Sequence, residues 1–99
     1  MKKAGRRLHT EHLDVRVADS LLSHARVAVI VGKHGHTIVE RNLLRRRLRE
    51  LARTKMLPFV RGVDVVLRTQ ATAYQAPFGK LTTEVEQVAK ELSREVHQA

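Results

Sequence analysis

Arginine supplies most of the chemistry on offer in this chain. From Thr37 it reads Thr37-Ile38-Val39-Glu40-Arg41-Asn42-Leu43-Leu44-Arg45-Arg46-Arg47-Leu48-Arg49-Glu50-Leu51-Ala52-Arg53. A guanidinium group is planar, keeps its charge at cellular pH and meets two phosphate oxygens at once, so arginines fixed on one face make a phosphate-binding surface. At roughly 100° per helical residue, Arg41, Asn42, Arg45, Arg46, Arg49 and Arg53 share one broad arc, with Leu44, Leu48 and Leu51 lining the stripe beside it. One side packs and the next presents guanidinium groups. The bland alternative is a solvated face neutralised by nearby acids. Only Glu40 and Glu50 are at hand, and the same projection puts both off the arc.

Other reactive groups are sparse. The carboxylates are scattered and no nucleophile-base spacing stands out, so no catalytic residue is expected. His34-Gly35-His36 could bring two imidazoles to one ion, but without a carboxylate or thiol cluster beside them no metal site is expected. His9, His12, His24 and His97 read as solvated surface residues. Tyr74 and Phe78 are the candidates for stacking on bases. The spacing of Phe78 with Leu81, Val85, Val88, Leu92 and Val96 nonetheless assigns it to a packed stripe.

These residues need a scaffold. Thr37 and Glu40 have capping-box spacing, which starts the basic helix at Ile38. Residues 1–8 carry basic side chains without apolar periodicity and are expected to form a disordered arm. His12 to Val17 alternates polar with apolar, as a half-buried strand does. Ala25 to Val31 is a nearly continuous apolar run suited to a central strand, and the two together suggest a hairpin. Lys33 to His36 is the turn into the helix, and Leu57-Pro58 closes it. Val60 to Leu67 is a third strand, Thr69 to Ala76 a connection, and Pro77 suits the first turn of a last helix. Strand-strand-helix-strand-helix implies a small α+β two-layer sandwich in a single domain over residues 1–99.

Composition agrees. Nineteen Lys and Arg against 10 Asp and Glu leave a net charge of +9, which favours a polyanionic partner. Nucleic acid leads and an anionic membrane surface follows. A membrane-surface helix fits poorly, because aromatics make up 3% of the chain and the polar face is ordered arginine. Cysteine is absent, which excludes disulfides and thiol chemistry. No apolar run approaches the roughly 20 residues that span a bilayer. The basic start lacks the apolar core of a secretory signal, so the expected compartment is the cytoplasm.

The run Arg41-Asn42-Leu43-Leu44-Arg45-Arg46-Arg47-Leu48-Arg49 resembles the signature of bacterial ribonuclease P protein subunits. That signature is Arg-Asn, two variable residues, Lys-Arg, two more, then Arg; Arg45 stands in place of its lysine. Val29-Ile30-Val31-Gly32-Lys33 before it, Val63-Asp64-Val65-Val66-Leu67-Arg68 after it, and Phe78 to Leu92 resemble the family's flanking strands and last helix. The likeness runs over roughly residues 13 to 95. It implies a left-handed βαβ crossover, against the general preference for right-handed ones. It also implies two RNA partners, the catalytic RNA and precursor tRNA, with neither membrane nor small-molecule substrate.

In this family the RNA, with bound magnesium, hydrolyses the phosphodiester. The protein binds no cofactor alone; it neutralises phosphates, improves metal affinity and holds the 5′ leader of precursor tRNA in a cleft. Carried onto this chain, Arg41, Arg45, Arg46, Arg49 and Arg53 would bind phosphate, Asn42 would hydrogen-bond RNA or cap local structure, and Lys33 would join from the preceding turn. Reading folded RNA by backbone and shape suits such a face, because the deep groove of A-form RNA hides base edges. Family members usually begin with a further helix that carries aromatics and walls the leader cleft. Here only about eight residues precede the first expected strand, which leaves three readings open: a truncated start, a wall made instead by His12, Asp14 and Arg16 on an outward strand face, or a derived protein that keeps the RNA-docking helix and has lost the substrate function. The other reading is a general RNA-binding or ribosome-associated structural protein without processing activity.

Overall fold

Two strands with period-two burial form the middle of the molecule. The computed structural model describes residues 6–21 and 23–98, with side chains to 93. β2 (Leu13–Asp19) buries Leu13, Val15 and Val17 and turns Asp14 and Arg16 the other way; β4 (Val63–Thr69) buries Val63, Val65, Leu67 and Thr69. β1 (Arg6–His9) and β3 (Arg26–Ile30) lie outside them, giving the order β1-β2-β4-β3. β1 and β4 both run antiparallel to β2, while β3 runs parallel to β4 with Val27 beside Val65 and Val29 beside Leu67.

The parallel pair is joined through α1 (Ile38–Lys55) and a short 3₁₀ turn (Leu57–Phe59). After β4, a second 3₁₀ turn (Ala71–Gln75) leads to α2 (Phe78–Gln98). The carbonyl of Pro77 accepts the amides of Lys80 and Leu81 at its start. Leu44, Leu48 and Leu51 of α1 and Leu81, Val85, Val88 and Leu92 of α2 close one core over one face of the sheet. Each fully buried aliphatic side chain contributes about 1.5–3 kcal/mol relative to exposure. That burial holds α1 with its polar arc outward. Among the described residues no helix is long and apolar enough to cross a membrane.

Several expectations change. Arg6 to His9 form a strand instead of continuing a disordered arm; residues 1–5 lie outside the described ones. A charged edge strand is stable here because only alternate residues, Arg6 and Leu8, turn towards the core side, and charge on an edge discourages pairing with other chains. The expected hairpin between the first two apolar runs is absent, because β4 inserts between β2 and β3. The third strand starts at Val63, since Gly62 takes a positive φ of 70° just before it. His12 is buried instead of solvated, held by partners far along the chain, and so does not face outward beside Asp14 and Arg16. Phe78 is 45% exposed instead of packed, because it stands at the first residue of α2, beyond the edge of the core. Val96 and His97 fall outside the described side chains.

Candidate nucleic-acid interface

α1 begins as its sequence dictates. The Glu40 amide donates to Thr37 Oγ1 at 3.1 Å and the Thr37 amide donates to Glu40 Oε1 at 2.8 Å, a complete capping box. That amide, more than any other contact, holds the Glu40 carboxyl below its ordinary value. Ahead of it, Lys33 to His36 close a turn in which His34 and Gly35 both have positive φ, with the His36 amide on the Lys33 carbonyl at 2.8 Å. Glycine is suited to one of those positions. Lys33 is exposed there.

The arc is continuous, but its members differ in environment. Arg46 and Arg49 stand in solvent, and neither forms an ion pair among the described residues. Arg45 is half-buried and donates to Asn42 Oδ1 at 2.8 Å, so the two present one rigid unit. Arg41 sinks against the core margin, where its Nε is buried with no hydrogen-bond partner. Arg53 behaves otherwise: Glu50 takes its guanidinium in a fork, with contacts of 2.5 and 3.3 Å. Glu50 lies off the arc by projection, yet its side chain reaches the residue three positions on, and the pair lowers the Glu50 carboxyl and raises Arg53. Arg53 is thus the partly neutralised member of the set.

Two basic features escaped the helical projection. Arg47, on the opposite flank, lies 5.7 Å over the ring of Phe78, a cation-π contact that ties the helix to α2. On the open face of the sheet, Arg7, Arg16 and Arg68 border a groove of about 500 Å³ floored by Ile30 and Val66. Arg7 and Arg16 are cross-strand neighbours. The alternation of Arg16 with buried valines was readable in the sequence; Arg7 needed β1 to be recognised as a strand.

The His34-Gly35-His36 turn packs on an aromatic ring. Tyr74 stacks on His36 with centroids 3.7 Å apart and planes 9° from parallel, meets His34 edge-on, and donates from its hydroxyl to the Gly32 carbonyl at 2.6 Å. Burial raises its phenol pKa, opposed by Arg41 nearby. With one ring face covered and its hydroxyl committed, Tyr74 positions the turn in front of α1. A Cβ at Gly32 would meet the His34 imidazole at 2.5 Å, so a larger residue there would displace that ring from its place beside Tyr74.

A family model described as ribonuclease P matches residues 1–93. The chain belongs to the ribonuclease P family. Membership covers the arginine helix, all four strands and most of α2. The ribonuclease P protein component of Syntrophobacter fumaroxidans is 36% identical over 74 residues, which span 72% of this chain and 62% of that protein. The fold of this chain is that of ribonuclease P proteins of known structure. A mutant of the Staphylococcus aureus protein superposes with a TM-score of 0.78 at 19% identity, over 88% of this chain and 74% of that one. The Thermotoga maritima protein superposes with a TM-score of 0.74 at 23% identity, over 92% and 86%.

Proposed function

We propose that the chain is the protein subunit of ribonuclease P, acting in the cytoplasm by binding the catalytic RNA and assisting endonucleolytic removal of the 5′ leader from precursor tRNA. The observation that carries this reading is the arc of α1, paired only at Arg53 among the described residues, where the family's arginine signature is held outward by a buried leucine stripe. Lys33, Arg41, Arg45, Arg46, Arg49 and Arg53 neutralise phosphates of the folded RNA, and Asn42, oriented by Arg45, offers its amide to the RNA backbone. The magnesium that serves hydrolysis is held by the RNA, and the protein contributes no catalytic group. By lowering the charge density around crowded phosphates, it reduces the repulsion that opposes docking of a second RNA.

The open sheet face suits the single-stranded leader. Arg7, Arg16 and Arg68 track a backbone, and Ile30 and Val66 give an apolar floor between them. The test is cleavage of a precursor tRNA by the catalytic RNA at limiting magnesium, with and without the protein. Stimulation with correct 5′ ends is the expected result. Tight RNA binding without stimulation would favour a general RNA-binding protein.

A further inference from the structure

Two adjacent residues meet a third, 72 positions along the chain, where the β1–β2 turn meets α2. His12 lies in that turn with Glu11 beside it, and Glu84 comes from the second turn of α2. One ligand atom from each lies within 4.8 Å of the others, and His12 Nε2 is 3.8 Å from both Glu11 Oε2 and Glu84 Oε2. Each carboxylate has one oxygen committed elsewhere. Glu84 Oε1 accepts the His12 amide at 2.9 Å and the Thr10 hydroxyl, and Glu11 Oε1 meets Lys80 Nζ at 3.0 Å. The remaining oxygens both turn to the imidazole. Glu84 Oε2 is fully buried and has no hydrogen-bond partner, on a side chain only 4% exposed.

A buried carboxylate oxygen without a partner is expensive, and a cation is its natural complement. We infer that Glu11, His12 and Glu84 form a site for a divalent metal ion of the zinc class, with water in the fourth position. One imidazole nitrogen and two carboxylate oxygens suit zinc, and the two carboxylates balance its charge. Bonds of about 2.0–2.2 Å in tetrahedral geometry put donors about 3.4 Å apart, so each carboxylate oxygen must close on the imidazole by about 0.4 Å and the two carboxylates on each other by at most about 1.4 Å. Exposed Glu11 has that freedom. The outer contacts are those of a built site: His12 Nδ1 lies 2.8 Å from Thr72 Oγ1, which can accept a hydrogen bond from Nδ1–H and so leave Nε2 unprotonated to ligate. Lys80 and Thr10 steer the carboxylates. An ion there would tie the β1–β2 turn, the 3₁₀ turn before α2 and α2 itself to one point.

The experiment is calorimetric titration of the chelator-stripped full chain with zinc chloride, without RNA, alongside its melting temperature in zinc and in chelator. One equivalent should bind and raise the melting temperature. Glu11→Gln should weaken binding by about 10- to 100-fold, judged against losses seen around metal sites, while its melting temperature in chelator stays near that of the parent. His12→Asn should weaken binding as well, and the double variant His34→Asn, His36→Asn should bind as the parent does. Absence of both heat and thermal shift would overturn the assignment. So would binding that survives Glu11→Gln or disappears with the His34 and His36 changes, since the ion would then sit elsewhere.

Discussion

The outer arc of α1 and the turn between β1 and β2 both concentrate charge, and they treat it in opposite ways. On α1, Arg46 and Arg49 stand in water and share their arc with Arg41, Arg45 and Arg53, of which Arg53 is paired, by Glu50. At the turn, His12 and the Glu84 that reaches it from α2 are buried, Lys80 clasps Glu11 and lowers its carboxyl, and one oxygen of Glu84 is wedged between an amide and a hydroxyl. A surface built to meet polyanions leaves its charge uncompensated, whereas charge inside the fold must find partners from distant parts of the chain. The first arrangement contributes little to stability and much to binding; the second does the reverse.

The contrast is open to measurement. The largest effect should come from salt: affinity for the catalytic RNA falls by about 10³ to 10⁵ between 50 and 200 mM if six to ten phosphates are engaged. Filter binding across that range reads it, and a flat response would break the electrostatic account of α1. Next comes Glu84→Ala, which strands the His12 amide and should cost about 3 kcal/mol in urea unfolding. A cost near zero would mean the buried charge is not structural. Its mirror image is the double change Arg46→Ala, Arg49→Ala. The salt slope of RNA binding should drop by about 2, with unfolding free energy unchanged within about 0.5 kcal/mol.

Smaller effects sharpen the edge between the two regions. Thr37→Ala removes the cap that starts the arginine helix and should cost about 1 kcal/mol by thermal unfolding. The smallest belongs to Glu40. Its carboxyl titrates lower in the folded chain than in the unfolded one, so its contribution is complete above the ordinary glutamate range and is lost as pH falls through the folded value. The parent should therefore lose slightly more stability than Glu40→Gln between about pH 5 and pH 3. Identical melting profiles would show that the cap does not depend on that charge.

What the sequence made legible follows the range of the interactions. The cap of α1 is written in Thr37 and Glu40, three residues apart, and its buried stripe in Leu44, Leu48 and Leu51. The arginine signature was readable for the same reason, because helix geometry turns sequence spacing directly into a face. Strand order was not. Nothing near residue 26 says that the neighbour of β3 will be β4, which forms only after α1 has crossed over. His12 looked solvated because its partners, Thr72 and Glu84, lie 60 and 72 residues away. Phe78 followed the apolar period of α2 and still missed the core, since periodicity specifies a face of the helix and says nothing of where the sheet beneath it ends.

The placement of β4 between β2 and β3 also sets an order in time. β1 and β2 can pair as soon as Asp19 has left the ribosome, since each is the other's neighbour. β3 has no strand to join until β4 has emerged, so α1 is complete about 1–3 s before its platform exists. An isolated helix of 18 residues is marginal in water, and like charges along it weaken it further. The growing chain therefore exposes its arginines first as a frayed, cationic segment. Their spacing as a docking face dates only from the arrival of Thr69 and the collapse of α2 behind it.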